Sequence, residues 1–407
     1  MEKKRKTRGK WLLALGALLM AAGLCMLALQ PSVLQYCIVA PTDEAAPEPS
    51  GQESAGQEAQ TAKQESGALK ALYDAWQTRV GEGLSEVLSA ASIAARDYGF
   101  ALSGEGGSAT ATLTAVGENW FSVYPRYLVS GRLMTQQELK DGDRLIVLDE
   151  PLAFKLFPTA DPIGRELTIG TERYEVIGVV RYRRSVGEYE QYQAYIPYTS
   201  AAEDRLPMEI VEVCGVALPQ SGASRAFEDA GENWQDGGTF IDTDKEAMRG
   251  GIVARALAIA LGLYLILYLL RRLNRRAASF GANIRARLQT EYFRDMLPGL
   301  LPRFFLLALG YAALLAAAFG VLTLAIEPMY VFTEWIPDVL VELSSITERF
   351  WQLTSAAAAP IAIRTQEYAE IRFWSGLVRW GALSALTGAL VMALSARRGS
   401  EKNKEQQ

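Results

Sequence analysis

Apolar residues gather in four long runs along this chain: Trp11–Leu29, Ile252–Leu270, Phe304–Ile326 and Leu377–Ala396. Each is about 20 residues, enough for a helix to cross a hydrocarbon layer of about 30 Å. The layout predicts four transmembrane α-helices with one α+β extracytoplasmic domain inserted between helices 1 and 2. The expected segments are a basic tail (1–10), the first span (11–29), a linker (41–68), the outer domain (69–250) and the second span (252–270). A cytoplasmic loop (271–303), the third span (304–326), an outer loop (327–373), the fourth span (377–396) and a cytoplasmic tail (397–407) follow.

Inside the polar stretch the hydrophobic period separates the elements. Residues 41–68 are dominated by Pro, Glu, Gln, Ser and small side chains, which cannot offset their ordering entropy, so a flexible tether is expected. Leu69, Leu72, Tyr73, Trp76 and Val80 recur at three- and four-residue steps, predicting a helix. Leu84, Val87, Leu88 and Ile93 extend that pattern past two glycines. Beyond Gly99 the period becomes two, and strands are expected at Ala111–Val116, Arg144–Leu148, Glu166–Ile169, Tyr174–Val180, Ala194–Ile196 and Ile210–Leu218. Gly170-Thr171 marks a hairpin between two of them, and Pro151–Phe157 and Ser224–Trp234 read as short helices.

Charge supplies the orientation. Lys3, Lys4, Arg5, Lys6, Arg8 and Lys10 precede the first run, and Arg271, Arg272, Arg275, Arg276, Arg285, Arg287, Arg294 and Arg303 lie between the second and third. Arg397, Arg398, Lys402 and Lys404 follow the fourth. A four-pass arrangement puts all three clusters on one side, so both termini are expected in the cytoplasm. The net charge of −5 conceals this division between an acidic outer domain and basic inner segments. A cleaved secretory signal is the other reading of the first run, but its apolar stretch is long and no small-x-small site follows Leu29. Leu24 stands where a lipoprotein signal before Cys25 needs a small residue. Cys37 and Cys214 both face outward in this topology; their separation gives no framework signature, and both free and paired states stay open.

Candidate chemistry is sparse. No His is present, which removes Ser-His-Asp, Cys-His and HExxH sites, and no GxxxxGK[ST] loop occurs. Acidic pairs such as Asp149-Glu150 and Glu203-Asp204 have no bracketing partner. No catalytic, cofactor or metal residue is therefore assigned, and no nucleic-acid partner is expected.

The stretch from Thr114 to Pro197 carries an ordered set of short motifs: Gly131-Arg132, then Ala153–Phe157 after a strand, then Asp161-Pro162-x-Gly164, then Val176–Val179 with Gly178 inside it. In that order they resemble the extracytoplasmic core domain of MacB-type ABC transporter permeases, and the four-span layout resembles the same family and its FtsX-like relatives. The resemblance implies that Gly131, Arg132, Asp161, Pro162, Gly164 and Gly178 shape the domain and are not catalytic. It also implies a separate cytoplasmic ABC ATPase that binds the ATP, a second permease subunit (identical or homologous), the bilayer, and an extracytoplasmic partner or substrate.

In the loop 271–303, Phe280, Ile284, Leu288, Tyr292 and Met296 repeat every four residues among Arg285, Arg287 and Arg294. Such a basic amphipathic helix either lies on the anionic inner leaflet or docks in the ATPase as a coupling helix; the resemblance favours docking. Small residues recur at Ala312, Ala316 and Gly320, and at Gly381, Ser384, Ala385, Gly388 and Ala389, suited to close helix packing within one subunit or across a dimer. Arg255 and Arg379 fall near the outer span ends, where their heads can reach water. Trp335, Ile336, Leu340, Leu343, Phe350, Trp351 and Leu353 suggest a helix on the outer membrane surface. The expected function is the membrane subunit of an ABC transporter complex, which relays ATP-driven motion outward for efflux or for activation of an external partner. The alternative is an anchored sensor or scaffold whose outer domain binds a ligand or wall enzyme without transport.

Overall fold

The computed structural model describes residues 2–40, 55–158, 161–182, 192–219, 222–287, 293–331, 351, 363 and 365–405. They form two compact units: a sheet unit, Leu29–Ala247 with Ile361–Phe373, and a helical unit, Met1–Ala28 with Met248–Pro360 and Trp374–Gln407. In chain order the first elements are α1 (Glu2–Ala28), β1 (Leu34–Val39), α2 (Ala55–Arg79), a π-helical turn (Val80–Leu84), α3 (Ser85–Val87), β2 (Leu88–Gly104), β3 (Gly107–Val116) and α4 (Trp120–Val123). There follow β4 (Leu128–Gly131), α5 (Gln136–Asp141), β5 (Leu145–Asp149), α6 (Glu150–Leu156), β6 (Glu166–Ile169), β7 (Glu172–Val180), β8 (Tyr192–Pro197) and α7 (Tyr198–Glu203). The last are β9 (Ile210–Ala217), α8 (Ala223–Trp234), β10 (Thr239–Asp242), α9 (Thr243–Arg287), α10 (Phe293–Val331) and α11 (Gln366–Glu405).

The ten strands make one mixed sheet in the order β10-β1-β9-β2-β3-β8-β5-β7-β4, with β6 beside β2 and β7. Two pairs are parallel, β3 with β8 and β5 with β7. Both faces are covered, so inward positions alternate between two separate cores along each strand. On β2, Ile93 and Ala95 enter the core beneath α2, α6 and α8, while Ala94 enters the other. The first core centres on aromatic rings: Trp76 stands edge-on to Phe227 (5.7 Å) and Trp234 (5.9 Å). The second packs Trp120 of α4 against Tyr124 (5.1 Å) and Tyr195 (5.2 Å), with Val147, Ile177 and Cys214 beneath.

Two expectations are corrected. Residues 55–68, expected in a tether, are the first turns of α2. Their Ala, Gln, Glu and Lys offer no core but are strong helix formers. Residues 41–54 lie outside the described residues. The helical pattern also does not continue to Ile93, because the strand begins at Leu88. Pairing with β9 on one side and β3 on the other overrides the helix propensity of its alanines.

Four helices in the described residues are long and apolar enough to cross a membrane: Thr7–Ala28, Thr243–Ala286, Leu300–Pro328 and Gln366–Ser395. Most of their apolar side chains face outward (Phe305 is 69% exposed, Leu315 73%), as suits a surface whose solvent is lipid. Within the helical unit, α1 and α11 meet along glycines. A Cβ on Gly16 would stand 2.5 Å from the Gly381 carbonyl oxygen, and one on Gly388 would stand 2.6 Å from Leu13 N. Gly9 likewise faces Gly388. Between α9 and α10, Gly262 receives Val321, Gly310 receives Leu273, and the Tyr311 hydroxyl donates to Asn274 Oδ1 (2.6 Å). Arg255, expected to reach water, is held by Glu327 at 3.1 Å.

Candidate functional site

The motif residues of the sequence converge at one end of the sheet. Gly131 ends β4 opposite Gly178 of β7. Its φ of +73° is left-handed, and a Cβ there would overlap the Ile177 carbonyl oxygen, so only glycine fits. A Cβ on Gly178 would likewise strike the Arg132 carbonyl. Asp161 Oδ1 accepts from Ile163 N (3.1 Å), Pro162 O accepts from Arg165 N, and Gly164 at φ +76° donates its N–H to Val176 O (2.8 Å). That turn brings the Ile163 side chain to Gly131. Arg132 turns outward and clasps Glu138 with both nitrogens, 2.7 Å and 2.5 Å.

Glu138 also closes the capping box of α5 with Thr135. The Arg132 hydrogen bonds and the Thr135 N–H hold its carboxyl down at about 2. A carboxyl depressed from an ordinary value of 4.5 stabilises the fold above that value and loses the contribution as pH falls toward 2. Glu138→Gln should cost about 1 kcal/mol at pH 7. Melting curves of the full chain should converge with those of the parent near pH 2; an equal gap at pH 7 and at pH 2 would remove the ion pair as the source.

A second cluster was not foreseen. On the face of β1, β9 and β2 beneath Trp120 lie Gln35, Glu212 and Arg96, all buried. Arg96 Nη2 pairs with Glu212 Oε1 at 2.5 Å across adjacent strands. Burial pushes the Glu212 carboxyl above its ordinary value, and the Arg96 charge opposes that rise. The Gln35 amide donates to the Tyr124 hydroxyl (2.6 Å) and to Glu367 Oε2 (2.9 Å), and its oxygen accepts from Thr365 Oγ1 (2.8 Å). The end of the expected outer loop 327–373 is thus built into the sheet unit, with Ile363, Tyr368 and Ile371 buried there. Trp351 is exposed; Trp335, Ile336, Leu340, Leu343, Phe350 and Leu353 lie outside the described residues.

A cleft of ≈ 70 Å³ opens beside this cluster, lined in part by Arg126, Asp149, Tyr195, Glu367 and Glu370. Arg126 lies over the rings of Trp120 (5.3 Å) and Tyr195 (5.7 Å) and donates to the Tyr195 hydroxyl. Burial lifts the Asp149 carboxyl to about 6, against two backbone donors, Leu152 N and Gln193 N. Both its oxygens are occupied by those donors, so Asp149 caps α6 and ties it to β8. No group of three or more His, Cys, Asp or Glu that could hold a metal occurs among the described residues. Cys37 and Cys214 are free, buried thiols; register sets Cys37 opposite Glu212 and Cys214 opposite Gln35.

Of the candidate coupling residues, Phe280, Ile284 and Arg285 form the end of α9, continuous with its apolar run. Leu288 and Tyr292 lie outside the described residues, and Met296 belongs to the start of α10. The sequence signal for the missed cluster was a charge at an inward position of an apolar strand: Arg96 after Ala94-Ala95, and Glu212 between Val211 and Val213. Such a charge requires a partner, but spacing cannot name one 116 residues away.

A two-faced α+β domain on a chain with long apolar helices defines a membrane protein with a large polar domain. Residues 44–231 match the family model of the MacB-like periplasmic core domain. The chain thus joins a MacB-like domain to long apolar helices. It is 32% identical over 92 residues to the macrolide export ATP-binding/permease protein MacB of Neisseria gonorrhoeae, covering 22% of this chain and 14% of that protein. With a MacB of Yersinia pestis it shares 33% over 101 residues, 24% of this chain and 15% of the relative. The chain therefore spans a small part of the length of these relatives. Among solved structures, the periplasmic region of MacB from Actinobacillus actinomycetemcomitans aligns with TM-score 0.36 at 17% identity, covering 52% of this chain and 89% of that one. The extracellular domain of the noncanonic ABC-type transporter YknZ from Gram-positive bacteria aligns with TM-score 0.34 at 15% identity, covering 51% and 100%. β1, β10 and the 361–373 piece lie outside the family match, whereas Arg96, Tyr124 and Glu212 lie inside it.

Proposed function

We propose that this chain is the transmembrane subunit of an ABC transporter complex that crosses a bacterial plasma membrane four times. Both termini and the 271–303 loop are cytoplasmic, and the sheet unit is displayed outside between the first and second crossings. The subunit is not itself an enzyme: a separate cytoplasmic ATPase binds the ATP, and a second permease subunit completes the membrane part. ATP-driven motion inside is relayed to the outer domain, which extrudes a substrate or activates an external partner.

One observation carries the reading. Helix α9 starts at Thr243, directly after β10, and runs to Arg287; α11 starts at Gln366, beside the Gln35 cluster, and runs to Glu405. Two of the four apolar runs, those of α9 and α11, therefore belong to helices whose first turns lie in the sheet unit. The three basic clusters support the orientation.

The test is purification of the tagged chain in gentle detergent, followed by identification of the ATPase and any second permease that accompany it. Leu288→Asp with Tyr292→Asp should abolish ATPase recovery and leave membrane insertion intact. Undiminished recovery of the ATPase would refute the coupling role.

A further inference from the structure

Along α9, Leu261, Tyr264, Leu265 and Tyr268 follow one another at three- and four-residue steps and share a face. Arg272, Arg275, Arg276 and Ser279 continue that face past the end of the apolar run. Leu261 is 59% exposed, Tyr264 65% and Tyr268 48%, and the arginines are exposed as well. The opposite face is the one that meets α10, through Leu273 at Gly310 and Asn274 at the Tyr311 hydroxyl. The tyrosines and arginines thus point away from α10, toward whatever surrounds the helix.

Tyr268, Arg272, Arg275, Arg276 and Ser279 line a shallow, open recess on this face. Among the described residues no carboxylate pairs with these arginines; Arg275 Nε donates to the Arg271 carbonyl at 3.4 Å, and Ser279 Oγ donates to the Arg276 carbonyl at 2.9 Å. Three guanidinium groups with no counter-charge among the described residues form a recess for a phosphate-type anion, which guanidinium can bind bidentately. Directly above it stands an apolar column with tyrosines at its lower end, where interfacial rings belong. Inorganic phosphate would fill the recess and leave the column unused; a phospholipid fills both.

We propose that this recess holds the phosphate headgroup of an anionic phospholipid whose acyl chains lie along Leu261, Tyr264 and Leu265. The leaflet occupied rests on the orientation given above, whereas the binding does not. Basic recesses at the cytoplasmic ends of membrane helices are suited to such headgroups.

Native mass spectrometry of the full chain in detergent, titrated with phosphatidylglycerol, cardiolipin and phosphatidylethanolamine, tests the site. The two anionic lipids should bind and the zwitterionic one should not. The triple variant Arg272→Gln, Arg275→Gln, Arg276→Gln should weaken anionic binding roughly 100-fold, since three charges near the headgroup are lost. The matching triple lysine variant keeps the charge and should retain most of the affinity, which separates charge loss from misfolding. Unchanged anionic binding by the glutamine variant, or equal retention of phosphatidylethanolamine, would overturn the proposal. Displacement of lipid by inorganic phosphate at equal concentration would overturn the lipid as occupant. Unchanged lipid binding with loss of ATPase recovery would assign the arginines to the partner protein instead. Impermeant labelling that found residues 271–287 outside the cell would sink the orientation and leave lipid binding standing.

Discussion

Glu212→Ala should lower the melting temperature of the sheet unit by about 10 °C in the full chain. Glu212 is 1% exposed, and its removal leaves the Arg96 guanidinium buried, charged and without its partner. Breaking a buried pair on one side costs roughly 3–5 kcal/mol, and a domain of this size loses about 2–4 °C per kcal/mol. The intact pair is a different matter, because its mutual attraction has to offset the desolvation of both ions. Arg96 Nε already lacks a hydrogen-bond partner, so the pair is incompletely satisfied. Arg96→Met with Glu212→Leu should therefore recover most of the lost stability. A single variant that melts within about 1 °C of the parent would show that water reaches the pair.

The second large effect belongs to the helical unit. Gly16→Leu should separate α1 from α11 at their closest approach, where even a Cβ meets the Gly381 carbonyl and the Ala385 backbone. Overpacking a close contact costs about 1–3 kcal/mol, and the backbone on both sides leaves little room to adjust. Gly320→Leu is the matching control, because a Cβ there meets nothing within 4 Å. Thermal unfolding in detergent should show a clear loss for the first and almost none for the second. Equal losses would mean that bulk, and not the α1–α11 seam, sets the stability. The seam also resolves one choice left open by the sequence: the Gly381 and Gly388 row is used within a single chain.

Much of the sheet unit is legible because its strands follow the period-two pattern closely. Glu166–Ile169 is an expected strand and an observed one, and Gly170 takes its positive φ between β6 and β7. β2 was illegible for a physical reason. Its alanines favour helix locally, and the partners that impose the strand, β9 and β3, are remote or carry no local mark. β1 and β10 are short and pair with each other across some two hundred residues, which no periodicity can reveal. The motif turns were visible as Gly-Arg and Asp-Pro-x-Gly, since glycine and proline announce backbone geometry. The Gln35–Thr365–Glu367 contacts were not, because an uncharged amide in a strand carries no sign of what it will meet.

Those contacts set an order on the birth of the molecule. Gln35 leaves the ribosome long before its partners Thr365 and Glu367, which follow 330 and 332 positions later. Until residues 361–373 have been made, Gln35 keeps the Tyr124 hydroxyl but lacks its other two partners, and Ile363, Tyr368 and Ile371 are missing from the sheet unit. Final closure of the sheet unit is thereby tied to synthesis of residues 361–373, just ahead of the last apolar run. A chain that stalls after α10 would carry an unsealed domain, a ready mark for surveillance proteases.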